Sequence, residues 1–433
     1  MSGKTIIDEV RSLLSFKLKQ RNDSISDQFS RIVVSKIFVL ASIIMLGSRF
    51  NDQDMNCVIP QNMPMSKDFV QHGCWARGFY IYPHLGNLMD QSSYYGIPRE
   101  LKYKGYLKND HKHLCELSPS GNKDQCIPMP KEYFMQFQSM PFIIFVLAYL
   151  FYVPYIVFCY GHIDIIHLKD RLQAGGIDAN QICVNYFNHK VFTKCGNNLR
   201  IATEYLAKML YIVNNVFVFY LISWLTNYRF ISYGNDWIKF SQNRDASKYD
   251  FYSQTEPTPG NRFLPTFAMC DLDVIHSRTY SVRLTVVCEV SSYLYFQYTF
   301  VLLWFILVLS ISISILGLLV HLTKHLKYIV FLCYAKKTNN DLLLTDKLYA
   351  GLTLRETEYL DAIKYVDFTM YIQVLRELAR YRPVFHQTNR KLGDDYIALL
   401  PSIPNTGDQD QCHDAQNDNK SRMRATKRSK EIE

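Results

Sequence analysis

A chain of 433 residues, 48% hydrophobic and only 20% charged, has the length of roughly two or three soluble domains. Its apolar residues are instead gathered into four runs near the roughly 20 residues needed to cross about 30 Å of hydrocarbon, which excludes an ordinary soluble globule. The formal net charge of +9 lies largely in the N-terminal segment and after the fourth run, where it suits anionic membrane lipid better than nucleic acid.

Residues 1–31 read as a cytoplasmic segment with an amphipathic helix, in which Ile6, Ile7, Val10, Leu13 and Leu14 recur at helical spacing among Lys4, Arg11, Lys17 and Lys19. Such a helix either lies on the inner membrane surface or tucks into a pore mouth. No apolar core follows at the distance a secretory signal requires. Residues 32–48 form the first span, with Lys36 placed to snorkel at its inner end. Lys17, Lys19, Arg21 and Arg31 precede it and Asp52 and Asp54 follow it, which puts the N-terminus inside.

The first outer loop, 49–139, is long and carries Cys57, Cys74, Cys115 and Cys126. Its tract His111-Lys112-His113-Leu114-Cys115 has metal-ligand spacing. A structural zinc site needs four ligands and a reduced thiol, however, and an oxidising compartment favours pairing of Cys115 with Cys126. No metal is assigned.

The second span, 140–160, opens with Pro141, where a missing N–H costs nothing, and holds Pro154 deeper, where a kink is expected. In the inner loop, 161–204, His162, His167, Lys169, Asp170 and Arg171 read as the solvated face of a helix. The third span, 205–225, places Asn214 and Asn215 mid-membrane. Amides there should bond other helices for about 0.6–2 kcal/mol each, so helix packing is the role assigned to them.

The second outer loop, 226–297, has turn signals at Pro257, Pro259, Gly260 and Pro265, then an alternating strand from Tyr280 to Val287 that ends at Cys288. The fourth span, 298–322, is followed by Lys324, Lys327, Lys336 and Lys337. Residues 323–401 form a cytoplasmic helical region and 402–433 a polar tail read as disordered. Six cysteines (57, 74, 115, 126, 270 and 288) thus fall outside and five (159, 183, 195, 333 and 412) inside, an even set for bridges and an odd set for thiols.

The fold class expected is an all-α membrane protein: a four-transmembrane-helix bundle with disulfide-stapled outer loops containing short β elements, plus a helical cytoplasmic domain. Nucleotide-binding, zinc-hydrolase and serine-hydrolase signatures are lacking, and no span carries a carboxylate pair. Neither an enzyme nor a cofactor is expected.

Several stretches together resemble the innexins, the invertebrate gap-junction proteins related to vertebrate pannexins. NDSISDQF at 22–29, CVIP at Cys57, the Cys74-Trp75 pair, and Gln138 with Pro141 and Phe142 of the YYQWVPF signature resemble family positions. So do FYVP at 151–154, KMLYIVN at 208–214, LPTFAMCDLDV at 264–274 and LWF at 303–305. Gln136, Phe137, Ser139 and Met140 replace the rest of that signature, and the first loop is lengthened around Cys115 and Cys126, which marks a divergent member. Connexins, with three cysteines in each outer loop, fit less well.

The resemblance implies an oligomeric channel, homomeric or heteromeric and octameric by family pattern, in the plasma membrane or at gap junctions. Two such rings could dock across neighbouring cells. It also implies the pairings Cys57–Cys288 and Cys74–Cys270, which spacing alone could not select. The N-terminal helix and loop entrance would line the pore, nominating Ile6, Ile7, Val10, Asp52 and Asp54. The alternative is a four-span adhesion or scaffold protein without a conducting pore.

Overall fold

The computed structural model describes residues 23–48, 55–59, 65–88, 92–100, 105–108, 113–115, 126–187, 194–242, 257–277, 280–337, 348–349 and 351–381. Ile6, Ile7, Val10, Asp52, Asp54, His111 and the tail from 402 lie outside the described residues.

The first apolar helix, α1 (Ile25–Gly47), starts seven residues before the purely apolar run. Its extra turns are held by ion pairs: Arg31 Nη2 meets Asp23 Oδ2 at 2.6 Å, and Lys208 Nζ meets Asp27 Oδ2 at 3.0 Å. Over Phe29–Val34 the backbone widens into π-type bonding. The first outer loop then builds β1 (Met55–Val58), α2 (Lys67–Arg77) and β2 (Tyr80–Ile81). A hairpin of β3 (Ser92–Tyr94) and β4 (Ile97–Pro98) follows, then β5 (Tyr106–Lys108) paired with β6 (Cys126–Pro128), and β7 (Glu132–Tyr133).

The second span is two helices, α3 (Gln136–Leu150) and α4 (Val153–Gly161), separated at Phe151-Tyr152. Pro154 sits in the first turn of α4, where no N–H is required, so the break falls just before it. Pro141 does not open the span but lies inside α3. The helix begins earlier because Phe137 is buried among Phe263, Tyr293 and Phe300, which holds the preceding turn in place.

On the inner side come α5 (Ile163–Gln173) and α6 (Ala179–Tyr186). Next are α7 (Lys194–Leu225), the third span, and α8 (Phe230–Gln242), which turns off α7 through left-handed residues at Asn227 and Tyr228. The second outer loop gives α9 (Pro259–Phe263), β8 (Phe267–Ser277) and β9 (Tyr280–Val290). The last span lies in α10 (Ser292–Lys337), a helix of 46 residues that runs on into the inner region, where α11 (Leu354–Val366) and α12 (Phe368–Tyr381) follow.

Four helical stretches, 25–47, 136–161, 196–225 and 292–331, are long and apolar enough to cross a membrane. They pack as a bundle whose outer surface exposes Phe142, Val146, Ile156, Leu302, Leu316 and Val320. In a soluble protein such a surface would be a liability; in a bilayer it meets lipid or a neighbouring subunit. Inside the bundle, Asn215 donates to Ser314 Oγ and accepts from Ser30 Oγ, both at 3.0 Å, joining the first, third and fourth spans. Asn214, one residue earlier, is half-buried.

The outer loops share one antiparallel sheet in the order β1-β9-β8-β2-β7. Strand alternation gives it two different faces. Ala268, Cys270, Leu272, Leu284, Val286 and Cys288 join the core continuous with the bundle. Met269, Phe267 and Val287 face a second core with Tyr80, Tyr82 and Leu107, so the lengthened part of the first loop covers the opposite face. A third core, built from α5, α6, α11 and α12, forms the inner helical domain.

Replacing Asn215 with Ala strips the Ser30 and Ser314 hydroxyls of their shared partner. The expected loss is about 0.6–2 kcal/mol of bundle stability, read from thermal unfolding in detergent; an unchanged midpoint would remove the helix-packing role.

Candidate functional site

Among the described residues, two regions carry organised chemistry, one at each end of the bundle. At the outer end, Cys57 on β1 stands directly opposite Cys288 on β9 in the strand register, and their sulfurs are bonded. Cys74, on the buried side of α2, is bonded to Cys270 on β8. These bridges close sequence separations of 231 and 196 residues, so each joins the first outer loop to the second. All four cysteines are buried, with Cys57, Cys270 and Cys288 on the sheet face against which α2 carries Cys74. α2 comes so close to that face that a Cβ on Gly73 would lie 2.8 Å from Leu272 Cδ2. The Cys57, Cys74 and Cys288 sulfurs lie within 4.8 Å of one another, but they are oxidised in these bridges and are not thiolate ligands.

Cys115 is bonded to Cys126 and pins the strand pair of the lengthened loop. That sulfur is therefore not available to the neighbouring histidines as a ligand.

The sheet face turned away from the bundle carries paired charges on its central strand, β8. Asp271 accepts from Tyr80 at 2.8 Å, Thr285 at 2.8 Å and Lys131 at 2.6 Å, and the Lys131 ammonium lies 3.9 Å above the Tyr80 ring. Burial works against the Asp271 charge, but these three donors outweigh it and hold the carboxyl below its usual range. Burial, with Tyr82 and Asp271 beside it, pushes the Tyr80 phenol up. Arg77 and Arg283 both bind Asp273 on the exposed rim.

At the inner end, Asp164 of α5 is the hub. Its Oδ1 accepts from Arg355 Nη2 at 2.7 Å, and its Oδ2 from Arg200 Nη1 at 2.6 Å and from the Tyr359 hydroxyl. Arg355 is wholly buried and also binds Glu358 at 2.7 Å and the Gly161 carbonyl at 3.3 Å. Burial raises the Asp164 carboxyl, yet the Arg355 hydrogen bond and charge, with Tyr359 and Arg200, take it below the usual carboxylate value. Lys324 with Asp361 at 2.8 Å, and Tyr328 with the Leu352 carbonyl at 2.9 Å, complete the attachment of α11 to the bundle. His162, read from the sequence as part of a solvated face, is in fact buried, while His167 and Asp170 on the same segment are exposed. Its burial follows from partners far away in the chain, since Arg355 and Tyr359 draw this turn inward.

A family model described as Innexin matches residues 23–407. The chain belongs to the innexin family. A curated relative, Innexin-6 of Caenorhabditis elegans, is 22% identical over 383 residues, covering 82% of this chain and 84% of that protein. At that identity this innexin is a divergent member of a family of gap-junction channel proteins.

Two residues of the innexin resemblance meet in the structure: Gln138 Nε2 donates to the Trp75 carbonyl at 2.8 Å, capping the end of α2 beside the Cys74 bridge. Phe137, which replaces a signature residue, fills an aromatic cluster with Phe263, 5.2 Å from Phe300 between ring centres. Arg229 binds Glu132 at 2.5 Å, tying the end of α7 to the sheet margin.

Removing a bridge that closes a loop of this length costs about 2–5 kcal/mol. Cys57→Ser or Cys288→Ser should therefore lower the surface yield of folded protein more than Cys115→Ser or Cys126→Ser. Equal tolerance at all four positions would contradict the bracing role. At the inner end, Asp164→Asn leaves the Arg355 guanidinium buried without its carboxylate and should cost about 3–5 kcal/mol, measured as earlier proteolysis of 354–381. Because the folded-state carboxyl is depressed, its stabilisation is present above the ordinary carboxylate value. It is lost as pH falls through the folded value, so acid release of this domain is expected below about pH 4.

Proposed function

We propose that this innexin assembles, with copies of itself or related subunits, into an octameric ring around a wide pore that passes ions and small molecules. The ring lies in the plasma membrane with both chain termini in the cytoplasm, and where two rings dock loop to loop it joins neighbouring cells. The subunit's task is structural rather than enzymatic.

The observation that carries this reading is the covalent union of the two outer loops at one end of a four-span bundle in an innexin. A subunit that must present a rim to neighbours, or to a ring on the next cell, gains from loops whose freedom has been removed before contact. Oxidised cysteines at one end, and free Cys159, Cys183 and Cys333 toward the other, support the orientation. Burial pushes the Cys183 thiol up to about 12, which keeps it protonated inside the inner domain. A pore of this kind sorts solutes by diameter and lining charge, and Ile6, Ile7, Val10, Asp52 and Asp54 are the lining we propose.

Cells expressing the chain alone should take up small membrane-impermeant dyes, and paired cells should in addition transfer them if rings dock. Surface-expressed protein that leaves cells impermeable would contradict the pore and favour the adhesion or scaffold reading.

A further inference from the structure

The helix α10 is longer than the membrane it crosses. Its 46 residues extend about 69 Å at 1.5 Å per residue, against about 30 Å of hydrocarbon. Its outer turns pack on the sheet, where Tyr293 and Phe296 join the core that also holds Cys270 and Cys288. Its inner turns run beside the inner domain, where Lys324 pairs with Asp361 at 2.8 Å and Tyr328 donates to the Leu352 carbonyl at 2.9 Å. The helix beyond Thr323 therefore lies outside the hydrocarbon.

Two faces of α10 behave differently as they leave the membrane. On one, exposed Leu316 and Val320 give way to exposed Thr323 and Lys327, as a lipid-facing stripe should where lipid ends. On the other, Ile315, Leu319, Leu322, Leu326, Ile329 and Cys333 follow at steps of four and three, all of them exposed. That alternation holds one apolar stripe in line for about five turns, and it is the spacing at which one helix meets another. Ile329 is 48% exposed, and Val330 and Tyr334, at 65% and 62%, widen the stripe at its lower end. Apolar exposure thus persists away from the bilayer, which lipid does not explain.

The subunit's own inner domain grips α10 on a different side, through Lys324, His325 and Tyr328. Innexins are oligomeric, so a second copy is the partner that assembly supplies. Contacts in a closed ring are heterologous, so the stripe must meet a different surface of the neighbour. The molecule carries one at the matching height. Leu199, Ala202, Leu206 and Met209 form a second exposed row, at steps of three and four, along the inner end of α7. Within one subunit, Asn215 with Ser314, Glu204 with His321 and Tyr205 with His325 fix the levels of the antiparallel α7 and α10. Counting from those contacts puts Leu206 level with Leu322 and Leu199 level with Ile329. Rotation about the membrane normal preserves height, so these pairs stay level between neighbours.

We propose that the inner part of α10 is a seam between subunits, packed against the inner end of α7 on the neighbouring copy. The seam rests on the ring reading above and adds to it the faces that meet. It joins neighbours below the bilayer with apolar side chains, while the cross-linked outer loops brace the other end.

The test is oxidative cross-linking of full-length protein in cell membranes, with two differently tagged chains expressed together. One carries Leu199→Cys and the other Ile329→Cys, and linked peptides are identified by mass spectrometry. A link between positions 199 and 329 of different tags is expected, roughly tenfold stronger than when Lys327→Cys replaces Ile329→Cys, because apposition raises the local thiol concentration. As a second variant, Ile329→Asp should leave the thermal midpoint of the subunit unchanged, since this side chain is exposed there. It should shift particles measured by mass photometry from multi-subunit toward single-subunit mass, whereas Thr323→Asp should not. Assembled wild type that gives no 199–329 link, equal links from 327 and 329, or Ile329→Asp particles of full mass would overturn the seam alone. A link from position 329 to a cysteine of the same chain would overturn it in favour of a covering segment of that chain. Wild-type particles of single-subunit mass would overturn the seam and the ring together.

Discussion

Two cross-links between segments some 200 residues apart are the constraint on which the outer half of the molecule depends. Cys57–Cys288 fastens an edge strand of only four residues, β1, to the sheet, and Cys74–Cys270 fastens a helix to its face. Neither element could hold its place by its own hydrogen bonds, because short strands and short helices are marginal in isolation. Once tied, the sheet face joins the same apolar core as the tops of the four spans. The rim and the bundle therefore behave as one body, and the Gln138–Trp75 bond and the Arg229–Glu132 pair sit along that seam.

The inner end is built by a different physics. There the tie is a buried, fully engaged guanidinium–carboxylate pair with flanking hydroxyl and carbonyl partners, reinforced by the apolar contacts of α5, α6, α11 and α12. Charge pairing in a dry interface is conditional, since removing one partner leaves the other stranded. An oxidised outer end that is permanent and an ionic inner end that can be titrated give the subunit one fixed and one adjustable attachment. That division suits a subunit of the channel we propose, with one end presented to partners and the other to the cytoplasm.

Much of this was legible in the sequence, for reasons that differ by element. The four spans announce themselves because hydrocarbon demands long apolar runs, and their helices differ from the reading only by the polar turns that extend them, as at Ile25 and at Ser292. The cysteine partners were not legible from spacing, which leaves fifteen pairings among six residues; the resemblance nominated them. The long strand Phe267–Ser277 went unread even though Ala268, Cys270 and Leu272 alternate with Met269, Asp271 and Asp273. Two aspartates on one face masked the apolar signal of the other. The burial of His162 could not be read locally, because what buries it arrives with Arg355, 194 residues from Gly161. Pro141 misled for a related reason, as an aromatic cluster assembled from two other segments sets where that helix starts.

The central claim is that the two outer loops are one covalently closed unit. Its most direct test is peptide mapping by mass spectrometry, without reduction, of protein labelled and recovered from the surface of intact cells. The account predicts linked peptides joining Cys57 to Cys288 and Cys74 to Cys270. Recovery of Cys74 and Cys270 as alkylated free thiols, or a Cys57–Cys74 link within the first loop, would contradict it.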